Sequence, residues 1–142
     1  MSIQRHVVGR AAVIGDIHGR SDLLRTLLTR FEPDRPVFVV GDLCDRGPDT
    51  RGVLDLLRSR GARGVLGNHD QVFLHWLRGD GLDPDWLRPH MGGRATLASY
   101  GIADELAAPS GKVPAEHRTF LESLALAIDL EVDDEAYWIV HT

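Results

Sequence analysis

The sequence has little of what would staple a chain, anchor it in lipid or draw it to nucleic acid. It carries one cysteine, Cys44, so no internal disulfide can form and folding does not depend on an oxidising compartment. No apolar stretch approaches the roughly 20 residues that a membrane span requires. Residues 1–6 are polar and lack the apolar core of a signal peptide. Positive charge is not in excess: 16 Lys and Arg stand against 21 Asp and Glu, a formal net charge of −5. That balance argues against duplex nucleic acid or an anionic membrane as main partner, since both demand dense positive charge. Neither the P-loop nor the dinucleotide glycine fingerprint occurs. With 142 residues, 43% hydrophobic and 26% charged, the remaining expectation is one soluble domain spanning 1–142, cytoplasmic and of unspecified oligomeric state.

What is present is a rhythm of short apolar run, glycine turn and helical pattern. Ala11-Ala12-Val13-Ile14 predicts a buried strand that stops at Gly15. Leu23, Leu24, Leu27, Leu28 and Phe31 predict a helix over 21–31 with Ser21 as its N-cap. Val37 to Val40 predict a second strand, residues 50–60 a helix closed by Gly61, residues 64–66 a third strand, and residues 69–78 another helix. Residues 79–114, broken by Gly79, Gly81, Pro84, Pro89, Gly92, Gly93, Pro109 and Gly111, predict only short helical pieces, one of them at 94–100. A helix over 114–126 and two strands, 127–132 and 136–140, joined by an acidic turn, complete the chain.

The residues after each predicted strand carry the chemistry. Strand one is followed by Gly15-Asp16-Ile17-His18-Gly19, strand two by Gly41-Asp42-Leu43-Cys44-Asp45-Arg46-Gly47, strand three by Gly67-Asn68-His69-Asp70, and the last by His141. In an open α/β sheet, ligands collect at the carboxyl ends of the strands. Mixed oxygen and nitrogen donors without thiolates suit Mn, Fe, Zn or Mg rather than a structural thiolate zinc. Without cations, Asp16, Asp42, Asp45 and Asp70 would crowd like charges into one cleft.

The three motifs at 15–19, 41–47 and 67–70 resemble those of the calcineurin-like metallophosphoesterases, in order and spacing. Asp45-Arg46-Gly47-Pro48, and Trp86 followed by the run from Gly92-Gly93-Arg94 to Tyr100-Gly101, are similar to the phosphoprotein-phosphatase branch, with its bacterial serine/threonine phosphatase and dinucleoside tetraphosphatase members. The resemblance implies an α/β fold, a metallophosphoesterase-type β-sandwich flanked by helices, of which this chain supplies the N-terminal part. Family members continue with further strands and a Gly-His motif that completes the second metal site, so the domain is expected to be C-terminally incomplete. The resemblance also implies that Asp16, His18 and Asp42 hold one divalent ion and Asp42, Asn68 and His141 the other, with Mn ahead of Fe or Zn. His69 would be the general acid, Asp45 its orienting partner, and Arg46 a fork onto phosphate oxygens. The implied reaction is phosphoester hydrolysis by a metal-activated hydroxide. A phosphorylated protein is the first substrate, a dinucleoside tetraphosphate the second, and a metal- or phosphate-binding fragment without turnover is the rival from another class.

Other residues carry plainer expectations. Asp70 reads as a helix cap rather than a ligand, and Cys44 as buried and structural. Trp76, Trp86 and Trp138 read as core. His6, His75 and His117 have no expected catalytic role, and the loop bearing His90 and Arg94 is placed to reach over the cleft.

Overall fold

The computed structural model describes residues 2–103 and 111–142; Pro109 lies outside them. Twelve elements follow in order: β1 (Ile3–Val8), β2 (Ala12–Ile14), α1 (Ser21–Leu28), β3 (Val37–Val39), α2 (Thr50–Ser59), β4 (Arg63–Gly64), α3 (Asn68–Arg78), a 3-10 turn (Pro84–Leu87), α4 (Gly93–Ser99), α5 (Ala115–Ser123), β5 (Ala127–Val132) and β6 (Glu135–Val140). They build an α/β architecture of two three-stranded sheets. In the first, β2, β3 and β4 run parallel, with Ile14 beside Val39 and Val39 beside Gly64. In the second, β1 runs parallel to β5, which pairs antiparallel with β6. A single bridge from Val65 to Ala125 ties the two together.

Two cores follow from this layering. The larger is made by the helices packed on the parallel sheet and includes Leu24, Val39, Leu54, Leu57, Phe73, Trp76, Trp86 and Leu121. The smaller lies between the sheets, where Phe38 and Val65 meet Ile128, Leu130 and Ile139. Strand alternation fixes which residues enter it: Ile128 and Ile139 sit opposite one another and point inward, as does Leu130.

Alternation also overturns two expectations. Trp138 pairs with Asp129 on the outer face and is 62% exposed, so it is not core. The polar N-terminal arm is instead strand β1, whose Ile3 and Val7 face outward and whose Gln4, His6 and Val8 are half-buried. Helix α1 stops at Leu28, short of Phe31, and Arg20 rather than Ser21 occupies its N-cap. The Ser21 hydroxyl bonds the Asp49 carboxylate, which itself caps α2 by accepting from the Gly52 N–H at 2.9 Å. The hairpin between β5 and β6 turns on Asp133 and Asp134, both at positive φ (50° and 67°), the geometry that matches the right-handed twist of paired strands.

Candidate metal centre

Because β2, β3 and β4 are parallel, the loops after them open on one edge of the sheet, and β6 delivers His141 to the same place. The loops are pressed together by backbone contacts: the Asp42 carbonyl accepts from Ile17 N and His18 N at 3.0 and 2.9 Å. Gly41 and Gly67 make this approach feasible. A Cβ on Gly67 would stand 2.3 Å from Asp42 Oδ1, and one on Gly41 2.9 Å from His141 Nδ1. His18, Asp42, Asp45 and Arg46 all hold left-handed backbone conformations, φ 44°, 53°, 71° and 68°, a concentration of strain typical of functional loops.

The side chains converge on Asp42, which is 6% exposed. His18 Nε2 lies 3.6 Å from Asp42 Oδ2 and 4.0 Å from Asp16 Oδ2. His141 Nε2 lies 3.3 Å from Asp42 Oδ1 and 3.0 Å from Asn68 Oδ1. Two compact triads of ligand atoms result, His18–Asp42–His69 and Asp16–Asp42–His141, with Asp42 in both. The histidine tautomers follow from the partners of the other nitrogens. His18 Nδ1 is 2.9 Å from the Cys44 carbonyl and His141 Nδ1 is 2.8 Å from the Val40 carbonyl. A carbonyl only accepts, so both Nδ1 atoms carry a proton, and both Nε2 atoms are turned toward carboxylate and amide oxygens. Nitrogen and oxygen ligand atoms brought this close can share a cation, and this oxygen–nitrogen set suits a hard or borderline divalent ion. Asp16, His18, Asp42, Asn68 and His141 are thus one constellation.

Beside it stands a buried pair. His69 Nδ1 lies 2.8 Å from Asp45 Oδ2, with both residues within 2% of full burial. The Asp45 carboxylate raises the His69 pKa through this hydrogen bond, against the opposing effect of burial. Asp45 is itself held by Trp86 Nε1 at 2.9 Å and by the Thr96 hydroxyl at 2.6 Å. Arg46 is exposed at the rim, its Nε donating to the His90 carbonyl at 3.3 Å and its Nη1 3.3 Å from His18 Nε2. Asp70 is no ligand: its carboxylate accepts from Leu43 N, Cys44 N and Gly67 N at 2.8, 3.1 and 3.0 Å. Burial pushes that carboxyl up to about 6. Cys44 is fully buried, and desolvation with neighbouring carboxylates raises its thiol well above the usual range, which makes it inert. His75 is exposed, whereas His117 is buried between Tyr100 and Asp55. A cavity of 580 Å³ lined by Arg58, Arg63 and Phe120 includes none of the centre's residues.

Sequence reasoning missed Thr50 and Thr96, which meet Asp45 inside the fold. The available signal was the run from Trp86 through Gly93 to Thr96, noticed only for its resemblance.

The calcineurin-like phosphoesterase family matches residues 9–137. The chain belongs to that family. Over 65 residues it is 49% identical to serine/threonine-protein phosphatase 1 of Salmonella typhimurium, an alignment covering 44% of this chain and 30% of that protein. Over 61 residues it is 48% identical to the symmetrical bis(5′-nucleosyl)-tetraphosphatase of Ralstonia nicotianae, covering 40% and 22% respectively. The crystal structure of a provisionally assigned diadenosine tetraphosphatase superposes with a TM-score of 0.65 at 28% identity, covering 91% of this chain and 50% of that one. The alignments with these curated relatives span less than a third of the relatives' length. The two-sheet, helix-flanked architecture is therefore the metallophosphoesterase fold expected from the motifs, and members of this family work with divalent metals.

Proposed function

We propose that this chain carries the catalytic centre of a metal-dependent phosphoester hydrolase, with a phosphorylated serine or threonine in a protein as its first substrate class. The observation that carries the reading is Asp42, shared by two ligand triads, one of which contains the His69 imidazole that pairs with the buried Asp45. Asp16, His18, Asp42, Asn68 and His141 would hold two divalent ions, manganese ahead of iron or zinc, and Asp42 would bridge them. Bound there, such ions supply the Lewis acidity that activates water and offsets phosphoryl charge. Arg46 at the rim would fork onto the phosphate oxygens. His69 keeps its Nδ1 proton on Asp45, which leaves Nε2 to carry a proton to the departing oxygen.

The His–Asp pair is what favours an alkyl phosphate. A serine or threonine alkoxide is a poor leaving group and gains greatly from a delivered proton, whereas a nucleotide phosphate leaves as a stable anion. Dinucleoside tetraphosphates are the second reading, supported by the names of several aligned relatives. The test is Mn-dependent hydrolysis of p-nitrophenyl phosphate by the purified chain, lost in Asp42→Asn. A folded, metal-loaded sample without turnover would instead favour a metal- or phosphate-binding fragment. Phosphopeptides and dinucleoside tetraphosphates offered to active protein then separate the two substrate classes.

A further inference from the structure

The run from Trp86 to Thr96 has no assigned role in this chemistry, yet it ends on Asp45, the carboxylate hydrogen-bonded to the His69 imidazole. Asp45 is completely buried, and each of its oxygens is spoken for. Oδ2 accepts from His69 Nδ1 at 2.8 Å and from Trp86 Nε1 at 2.9 Å, and Oδ1 accepts from the Thr96 hydroxyl at 2.6 Å. Thr96 has only that one proton, so the 2.9 Å contact between the two threonine oxygens is a donation from Thr50 to Thr96. The Thr96 oxygen also accepts the Asp45 backbone N–H at 2.9 Å. Thr96 therefore grips Asp45 at both its main chain and its side chain. A carboxylate that rotated would leave buried donors unmet, each a cost of about 1–3 kcal/mol, so its orientation is fixed.

The glycines of the run serve the same end. A Cβ on Gly93 would lie 2.4 Å from Trp86 Nε1, displacing the indole N–H from Asp45. Gly92, at φ 81°, accepts the Arg46 N–H at 3.2 Å. We propose that Thr96 and Trp86 are positioning residues: they clamp Asp45 so that His69 keeps Nδ1–H on that carboxylate and turns Nε2 toward the leaving-group oxygen, delivering the imidazolium's Nε2 proton and remaining as the Nδ1–H tautomer. This rests on the hydrolase reading above and on His69 as general acid.

Leaving-group dependence tests it. p-Nitrophenolate leaves with little help from an acid, whereas phenolate needs the proton. Thr96→Val, isosteric but without the hydroxyl, is expected to lower the kcat ratio of phenyl phosphate to p-nitrophenyl phosphate roughly tenfold, the scale on which outer partners act through an imidazole. Thr96→Ser restores the ratio. Trp86→Phe, which keeps the ring and removes the N–H, lowers it as well. In the metal-free protein, the imidazole ¹⁵N spectrum of His69 shows one tautomer for wild type and a mixture for Thr96→Val. A folded Thr96→Val with the wild-type ratio overturns the proposal, as does a Thr96→Ser that behaves like valine. If Thr96→Val does not fold, Trp86→Phe decides by the same ratio. His69→Ala separates the layers: if its ratio equals that of wild type, the general-acid role itself falls, whereas a reduced ratio there with none in the clamp variants sinks only the clamp.

Discussion

Asp42 and Asp45 lie three positions apart, both left-handed and both nearly inaccessible, yet their environments give them different work. Asp42 faces the Nε2 atoms of His18 and His141, ligand atoms with which it can share a cation. Asp45 faces only donors, which satisfy both its oxygens without one. Removing charge from each should therefore fail differently. Asp45→Asn presents an amide where His69 and Trp86 both donate, so the imidazole must turn or change tautomer. Its kcat on phenyl phosphate is expected to fall about 10²–10⁴-fold, the range for loss of a positioned acid, while metal content measured by elemental analysis stays at the wild-type level. Loss of metal in Asp45→Asn would place that carboxylate among the ligands instead.

Helix α3 shows what an element contributes. Its first turn supplies Asn68 and His69 to the centre, and its Asp70 reaches back to Gly67 N while also binding Leu43 N and Cys44 N. One carboxylate thus caps the helix and pins the loop that carries Asp42. Asparagine offers a single acceptor oxygen there and sets an N–H against an N–H. Asp70→Asn is expected to cost about 1–3 kcal/mol by urea denaturation, with a matching loss of metal affinity by titration calorimetry. The capping half of this role was legible in the sequence, because a carboxylate three positions after a glycine turn is a local pattern. The second half was not, since it joins residues 27 positions apart. The same division holds elsewhere. Asp16, His18, Asp42 and Asn68 were legible because each lies in a glycine turn that follows a short apolar run in the sequence. Strand β1 was not, because its inward residues are Gln4, His6 and Val8, and its partner β5 lies at the far end of the chain. Thr96 was hidden for another reason: a threonine inside a helix carries no mark of the buried carboxylate it meets.

Across the whole molecule, stability and function draw on different layers. The helical core packs Phe73 against Trp76, Trp86 and Tyr100 with ring centroids 5.8–6.2 Å apart, while the outer face of the second sheet leaves Ile3, Val7, Trp138 and Val140 exposed. Phe73→Ala is expected to cost about 3–5 kcal/mol and Trp138→Ala no more than about 0.5 kcal/mol, both read from chemical denaturation. Equal losses would mean that the outer face is covered in solution. The centre adds to this framework from outside the core. Its left-handed loops weigh against the folded state, and an ion that binds only the folded chain stabilises it by mass action. At a hundred times its Kd, one ion contributes about 2.7 kcal/mol, which for a domain of this size raises Tm by roughly 5–15 °C. Chelator-stripped protein should therefore melt lower and recover with Mn, as followed by calorimetry. Asp42→Asn should lose the Mn-dependent increment, because Asp42 belongs to both triads, and His69→Ala should keep at least the part carried by Asp16, Asp42 and His141. Wild-type protein whose melting ignores Mn would mean that the two triads hold no ion, and the catalytic reading would fall with them.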